Sequence, residues 1–149
     1  MSKHESWRTR KYWSNTGGLL IEEFLAVRTT KANGQRLIDG VIVLNEETGI
    51  YDGNVYDIEG KDVIVIQTKR SRIGMNLLGQ AYFSKCLIEK LKPRSIKSVA
   101  ICSKYDDVTG QLAKEHDVEV VVISDKDYDA KFDSPKYLEE NKTLYNMKK

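Results

Sequence analysis

Three polar residues interrupt two strongly apolar segments and have the side-chain types that phosphodiester hydrolysis needs. Asp39 lies within segment 36–44, and Gln67 and Lys69 end segment 62–69. An acid inside an apolar segment lowers stability unless it is exposed, paired or bound to a ligand. A carboxylate, an amide oxygen and an ammonium group held together can bind Mg²⁺ and activate water against a phosphodiester. These three residues are the candidate catalytic set.

Both segments are predicted to be strands, and that geometry would bring the three side chains together. Side chains alternate faces along a strand, so Gln67 and Lys69 point to one face and Thr68 points to the other. If the two strands are neighbours in a sheet, Asp39 can meet Gln67 and Lys69 at one spot.

The order of these residues over Gly17 to Ser124 resembles the PD-(D/E)xK nuclease superfamily. Its pattern is a glutamate on a helix, an acid in one strand, and then an acid, any residue and a lysine in a later strand. Ile38 stands where proline is usual, and Gln67 stands where Asp or Glu is usual. In chain order the pattern here reads Glu22 or Glu23, Ile38-Asp39, and Gln67-Thr68-Lys69.

The resemblance implies an α/β fold with a restriction-endonuclease-like core, in which helices flank a central mixed sheet of about five strands. It implies a Mg²⁺-dependent DNA endonuclease of the restriction, homing or junction-resolving kind, with Mn²⁺ as a substitute metal. Asp39, Gln67 and the helix glutamate would bind the metal, and Lys69 would orient water or offset transition-state charge. Cutting two strands with one site per chain favours a homodimer.

The helix that carries the glutamate is predicted over Leu19 to Val27. A start signal at Ser14-Asn15-Thr16-Gly17 precedes a helically spaced apolar stripe. Helical geometry favours Glu23 as the inward carboxylate, whereas the register of the superfamily favours Glu22. Both assignments stay open.

The remaining pattern predicts one domain over 1–149, in the order α-β-β-β-α-β-α-β. Gly60 is expected to form a hairpin between two antiparallel strands. A helix over 72–92 carries Gln80 and ends before Pro93. A strand, helix and strand over 98–123 predict a parallel pair. The polar extension 125–149 is expected to hold a helix from Ser134-Pro135 to Met147.

Basic residues flank the acidic block that holds the candidate site. Residues 67–97 carry eight Lys or Arg against one acid, whereas 37–66 carry one against seven. This pattern favours phosphate contacts beside a metal site, although helices that display solvated lysines give the same counts. Segment 1–16 reads as a basic, aromatic arm that lies on DNA or packs on the domain. The candidate DNA-binding residues are Arg8, Arg10, Lys11, Arg70, Arg72 and Gln80.

Other functions have weaker signals. Cys86, Cys102, His4 and His116 lack zinc-ligand spacing, and no apolar run approaches the roughly 18 residues of a membrane span. We expect an intracellular protein with reduced thiols and no membrane partner. Two alternatives to the endonuclease remain. Gln67 favours a nucleic-acid-binding subunit that has lost the reaction, and Gln80 favours a RecB-like exonuclease module.

Overall fold

A computed structural model describes residues 3–143 of the 149-residue chain. The helices are α1 Lys3–Thr16, α2 Met75–Glu89, α3 Asp107–Glu115 and α4 Pro135–Asn141. The strands are β1 Leu19–Val27, β2 Arg36–Val43, β3 Gly49–Ile50, β4 Asp62–Thr68, β5 Ser95–Cys102 and β6 Val118–Val122. Two short 3₁₀ helices, Asp125–Asp127 and Ala130–Asp133, precede α4.

The six strands form one mixed sheet in the order β3-β1-β2-β4-β5-β6. β2 pairs antiparallel with β1 and with β4, so these three strands form a meander. β4, β5 and β6 are parallel, with α2 and α3 as the crossover helices. The predicted α/β class with a mixed sheet and flanking helices is confirmed, and the two-residue β3 brings the strand count to six.

Apolar side chains cover both faces of the sheet. On one face, Trp7 and Trp13 of α1 share a buried cluster with strand residues such as Ile42 and Ile66. On the other face, Ile88 of α2 joins a cluster that includes Val41 and Val65. Alternating residues of β2 and β4 therefore enter opposite cores, as strand geometry requires. Helices pack on both sides of the central strands.

The helix predicted over Leu19 to Val27 was wrong, because this segment is the strand β1. Leu19, Leu20 and Ile21 are consecutive and all buried, a pattern that suits a strand covered on both faces. Gly17, interpreted as part of a helix start, instead follows a helix end. Its φ is +72°, and its N–H donates to the Trp13 carbonyl at 2.9 Å.

The segment predicted to be a basic arm is the first helix, in the part from Lys3 onward that the structure describes. Trp7 and Trp13 are each only 3% exposed, so the reading in which the aromatics pack on the domain is the one the structure shows. The indole N–H of Trp13 also donates to the Gly18 carbonyl at 2.8 Å, which ties the end of α1 to the start of β1.

The hairpin predicted at Gly60 was also wrong. No strand lies between Ile50 and Asp62, and β4 pairs antiparallel with β2 across the sheet. Gly60 does adopt a left-handed φ of +74°, but it closes a turn rather than a hairpin. The intervening segment instead covers one core through Ile58, which is 1% exposed.

The second half of the chain follows the sequence prediction closely. β5 and β6 are parallel and joined by α3, whose N-cap Asp106 accepts a hydrogen bond from the Thr109 N–H at 2.8 Å. The C-terminal extension is packed rather than free, because Phe132 is buried beside α1. The helix predicted from Ser134-Pro135 to Met147 is too long, because α4 ends at Asn141 and Lys142 forms an isolated bridge with Ile50. Residues 144–147 lie outside the described residues. Among residues 3–143, no helix is both long enough and apolar enough to cross a membrane.

Candidate active site

An open cleft of about 540 Å³ lies where β2 begins and β4 ends, between α1 and α2. Asp39, Gln67 and Lys69 all line it, so the structure brings the predicted catalytic set together. Gln80 lines the same cleft from α2. The remaining lining residues are Glu5, Arg36, Leu37, Ile38, Thr68, Phe83, Ser84 and Leu87.

Asp39 is a partly buried carboxylate with a perturbed protonation equilibrium. Its Oδ2 accepts a hydrogen bond from the Thr68 backbone N–H at 2.9 Å, which joins β2 to the end of β4. Burial raises the pKa of Asp39 from 3.8 to about 6, and the negative charges of Glu23 and Glu5 act in the same direction, while the Thr68 hydrogen bond opposes them. The Thr68 hydrogen bond compensates the negative charge of Asp39 only in part. A cation in the cleft would be attracted to the remaining charge.

The alternation of side chains is irregular where β1 and β2 pass Asp39. Glu23 has a left-handed φ of 50°, and Glu23 and Asp39 lie between the ladder pairs Glu22↔Gly40 and Phe24↔Ile38. Leu20 and Ile42 belong to the core that α1 covers. With regular alternation Phe24 and Ile38 would join them, but they belong to the core on the opposite face. Alternation is thus inverted on both strands at Asp39, and such irregularities recur near functional sites.

Gln67 and Lys69 differ sharply in exposure. Gln67 is only 7% exposed, and its amide nitrogen donates to the Ser84 hydroxyl of α2 at 2.7 Å. That hydrogen bond orients the amide so that its oxygen is the group left for a ligand. Lys69 is exposed, and its backbone N–H donates to Ile101 at 3.0 Å, which fixes the end of β4. Its ammonium makes no ion pair with any residue of the described chain.

Neither predicted glutamate, Glu22 or Glu23, lies on a helix or lines the cleft. Glu22 lies on the α1 side of β1 and forms a bidentate pair with Arg10, at 2.9 and 3.2 Å. Glu23 is close enough to raise the pKa of Asp39 but does not line the cleft. The helix that precedes β1 is α1, and its Glu5 does line the cleft. Sequence reasoning missed Glu5 because it placed the first helix one element too late.

A glycine beside Asp39 lets α1 approach the sheet at this point. A Cβ at Gly40 would lie 3.0 Å from Cγ2 of Thr9, a residue of α1 with no exposed surface. Contacts this short are rare, so a larger residue would push α1 away from β2. Gly40 therefore helps to set the position of Glu5 relative to Asp39.

Arg8 and Arg10, predicted to bind DNA, are used inside the protein. Arg8 has no exposed surface, and its guanidinium donates to the Ile123 carbonyl and pairs with Asp125. Arg10 is 11% exposed and also donates to the Phe132 carbonyl at 2.6 Å. Both guanidinium groups therefore hold α1 against the sheet and the C-terminal segment, and neither is placed to contact a phosphate.

The remaining candidate DNA-binding residues are at the surface. The Lys11 ammonium donates to the Asp127 carbonyl at 2.9 Å. Arg70 is 55% exposed and lies 3.9 Å from Asp125, while Arg72 and Gln80 are exposed. Lys69 and Arg72 also line a second, smaller cavity of about 310 Å³ next to the cleft. The basic surface beside the site thus includes segment 69–72 and Arg36.

Comparisons with known proteins name no relative for this chain. No family model matches it, and neither the curated proteins nor the solved structures contain a match. Functional assignment therefore rests on the geometry of the cleft.

The donor chemistry of the cleft suits a hard divalent cation. Asp39 offers a carboxylate, Gln67 an amide oxygen and Glu5 a second carboxylate on the same cleft, and oxygen donors are the ligands that Mg²⁺ prefers. Within residues 3–143, no three His, Cys, Asp or Glu side chains lie close enough together to form a metal cluster. A metal here would depend on the Gln67 oxygen and on water for part of its coordination.

Proposed function

We propose that this protein is a Mg²⁺-dependent deoxyribonuclease, an endonuclease whose active site is the cleft around Asp39. One observation carries the proposal: Asp39, Gln67, Lys69 and a helix glutamate, Glu5, line a single open cleft. Their chain order agrees with the PD-(D/E)xK pattern. The element order of a helix, an antiparallel meander of three strands, a helix and a parallel strand supports the same interpretation.

Each residue has a role that follows from its position. Asp39, Gln67 and Glu5 would hold Mg²⁺, which supplies Lewis-acid chemistry when bound. Asp39 must be ionised to do so, and a pKa of about 6 leaves it largely ionised above pH 7. The Lys69 ammonium, which has no acidic partner among the described residues, is available to stabilise the extra negative charge on the phosphate in the transition state.

The first test is cleavage by Asp39→Asn and Lys69→Met. Linear, supercoiled and four-way-junction DNA are incubated with Mg²⁺, Mn²⁺ or EDTA. Each variant should lose about 100-fold or more in rate, because each removes a charge used in the transition state. Asp52→Asn and Lys136→Met, which alter exposed residues away from the cleft, are the matched controls. Full activity in either cleft variant would refute the assignment.

The linear and supercoiled substrates also separate two modes of cleavage. Gln80 is exposed on the cleft wall, which keeps a RecB-like exonuclease as an alternative. An exonuclease requires a strand end, so it would degrade linear DNA and spare the supercoiled circle. An endonuclease would nick both. Light scattering of the purified protein tests the proposed homodimer.

A second candidate is a nucleic-acid-binding domain without activity. The observation that favours it is the neutral Gln67 in the place of an acid, which leaves the cleft with fewer negative charges for a cation. Gln67→Glu restores that charge while keeping an oxygen donor. If the wild type is inactive on every substrate and Gln67→Glu gains cleavage, the binding-domain interpretation is correct. If both are active, the nuclease interpretation holds.

A further inference from the structure

One wall of the cleft is apolar and open to solvent. Phe83 of α2 is 66% exposed and Leu37 of β2 is 38% exposed, although both are large hydrophobic residues. Leu87, one turn after Phe83, lines the same wall. Exposed apolar patches within a cleft of polar residues are typical of ligand-binding surfaces.

The ring of Phe83 packs against a neighbouring aromatic ring, although most of its surface is exposed. Its centroid lies 5.4 Å from that of Tyr82 in an edge-to-face contact, and Tyr82 makes a similar contact with His116 at 5.7 Å. Gln80, Phe83 and Leu87 follow helical spacing, so α2 turns them toward the cleft together with Ser84, the partner of Gln67. The aromatic surface is thus tied to the same helix face that orients a candidate metal ligand.

The exposed charges beside this wall favour a polyanion as its occupant, because the acids of the cleft, Glu5 and Asp39, are half-buried. Arg36 and Lys69 both line the cleft and both are exposed. A nucleic-acid strand presents phosphates and flat apolar bases in alternation, which matches cations next to an aromatic wall. A second copy of this chain seated on Phe83 would instead cover Asp39 and Lys69, which share the cleft.

We propose that the cleft binds an unpaired nucleic-acid strand, with a base stacked on Phe83 while Arg36 and Lys69 contact the adjacent phosphates. Bases in a duplex are stacked on each other, so their faces are not available to a side chain unless the strand is opened. This inference rests on the proposed function and defines its substrate class. It predicts that single strands, flaps or locally melted DNA bind better than intact duplex.

The test measures binding without cleavage. Fluorescein-labelled 15-nucleotide single-stranded DNA, single-stranded RNA and a duplex of the same sequence are titrated in EDTA by fluorescence anisotropy. Phe83→Ala should weaken single-strand binding about 5- to 100-fold, the range for loss of one stacked base. Phe83→Trp should restore it, and duplex affinity should change less than twofold. Val108→Ala, which truncates a residue that is 80% exposed on α3, is the matched control.

Several outcomes would overturn the inference. The first is that the wild type binds neither single strand. The second is that Phe83→Ala loses affinity equally for single strand and duplex. The third is that Phe83→Ala binds single strands as tightly as the wild type does. If the wild type is a dimer and Phe83→Ala is a monomer, the apolar wall is an interface with a second copy of the chain and not a nucleic-acid surface. The cleavage assays with Asp39→Asn are independent of this result. Stacking without cleavage by the wild type would refute the nuclease, and cleavage without stacking would refute only the substrate class.

Discussion

At the scale of single residues, Asp39 lies in an environment that disfavours its charged form. Its carboxylate is partly buried, has one backbone N–H as a described hydrogen-bond donor and feels the negative charges of Glu23 and Glu5. Among the described residues the Thr68 N–H is the one hydrogen-bond donor that offsets this cost, and an amide side chain could accept the same hydrogen bond without a charge. A position that reduces stability in this way is typical of a functional site.

The electrostatic cost at Asp39 predicts a pH-dependent stability difference. Because the pKa is raised from 3.8 to about 6 on folding, the stability linked to its proton is present below pH 4 and lost as pH rises through 6. Asp39→Asn keeps an oxygen for the Thr68 N–H and carries no charge. Its unfolding free energy relative to wild type should therefore rise by about 2 kcal/mol between pH 4 and 7.5.

Urea unfolding in EDTA at several pH values measures this difference, with the exposed Asp52→Asn as the control for loss of a charge. A flat difference for Asp39→Asn would mean that the carboxylate is solvated in the free protein. Added Mg²⁺ should stabilise the wild type more than the variant, because a ligand that binds only the folded state raises its stability.

The two glutamates Glu5 and Glu22 should separate stability from activity. Glu22 is 18% exposed and bonded to Arg10, so Glu22→Gln should lower the unfolding free energy by about 2 kcal/mol, since it breaks a largely buried ion pair. Its cleavage rate per folded molecule should be unchanged. Glu5→Gln should lower that rate, because Glu5 lines the cleft. The opposite result would return the helix-glutamate role to Glu22.

At the scale of elements, the irregular alternation at Glu23 adjoins the site. Side-chain alternation breaks on both β1 and β2 there: Phe24 and Ile38 enter the core that contains Ile88 of α2, and Asp39 beside them lines the cleft. A left-handed glutamate costs free energy that glycine would not, because its Cβ approaches the neighbouring carbonyl. The strain is retained where the direction of a side chain matters.

The conformation of Glu23 is tested by comparing Glu23→Gly with Glu23→Ala, which both remove the carboxylate. The glycine variant should be more stable by about 1 kcal/mol, because glycine adopts a left-handed φ without strain. At Glu119, in the regular strand β6, the order should be reversed, since glycine weakens an ordinary strand. Thermal unfolding of the four variants measures both differences. The same order at both sites would contradict a left-handed Glu23.

An element could be predicted where its side-chain pattern depends on neighbouring residues alone, and not where it depends on contacts with distant segments. Gln67 and Lys69 share a cleft as predicted, because alternation along a strand is set by the backbone alone. The helix α1 was missed because its buried face includes the polar residues Arg8 and Thr9, and the partners of Arg8, Ile123 and Asp125, lie in a distant segment. Glu5 could not be found without that helix. No local pattern shows that an arginine will be buried by residues more than 100 positions away.

At the scale of the whole molecule, net charge says less than its distribution. The formal charge of +2 includes arginines that are consumed by internal pairs, such as Arg8 with Asp125 and Arg10 with Glu22. The cations that remain exposed near the cleft are Arg36, Lys69, Arg70 and Arg72. Phosphate binding should therefore depend on these cations and not on α1.

Salt dependence of DNA binding tests this distribution. Each phosphate contact to duplex DNA releases counterion and contributes about −0.9 to the slope of log K against log salt. Arg70→Ser with Arg72→Ser should therefore make the slope less negative by up to about 2 and weaken binding equally across sequences. Lys131→Ser with Lys136→Ser, which alters two exposed lysines of the C-terminal segment, is the matched control. Identical slopes for both pairs would mean that the basic segment only faces solvent.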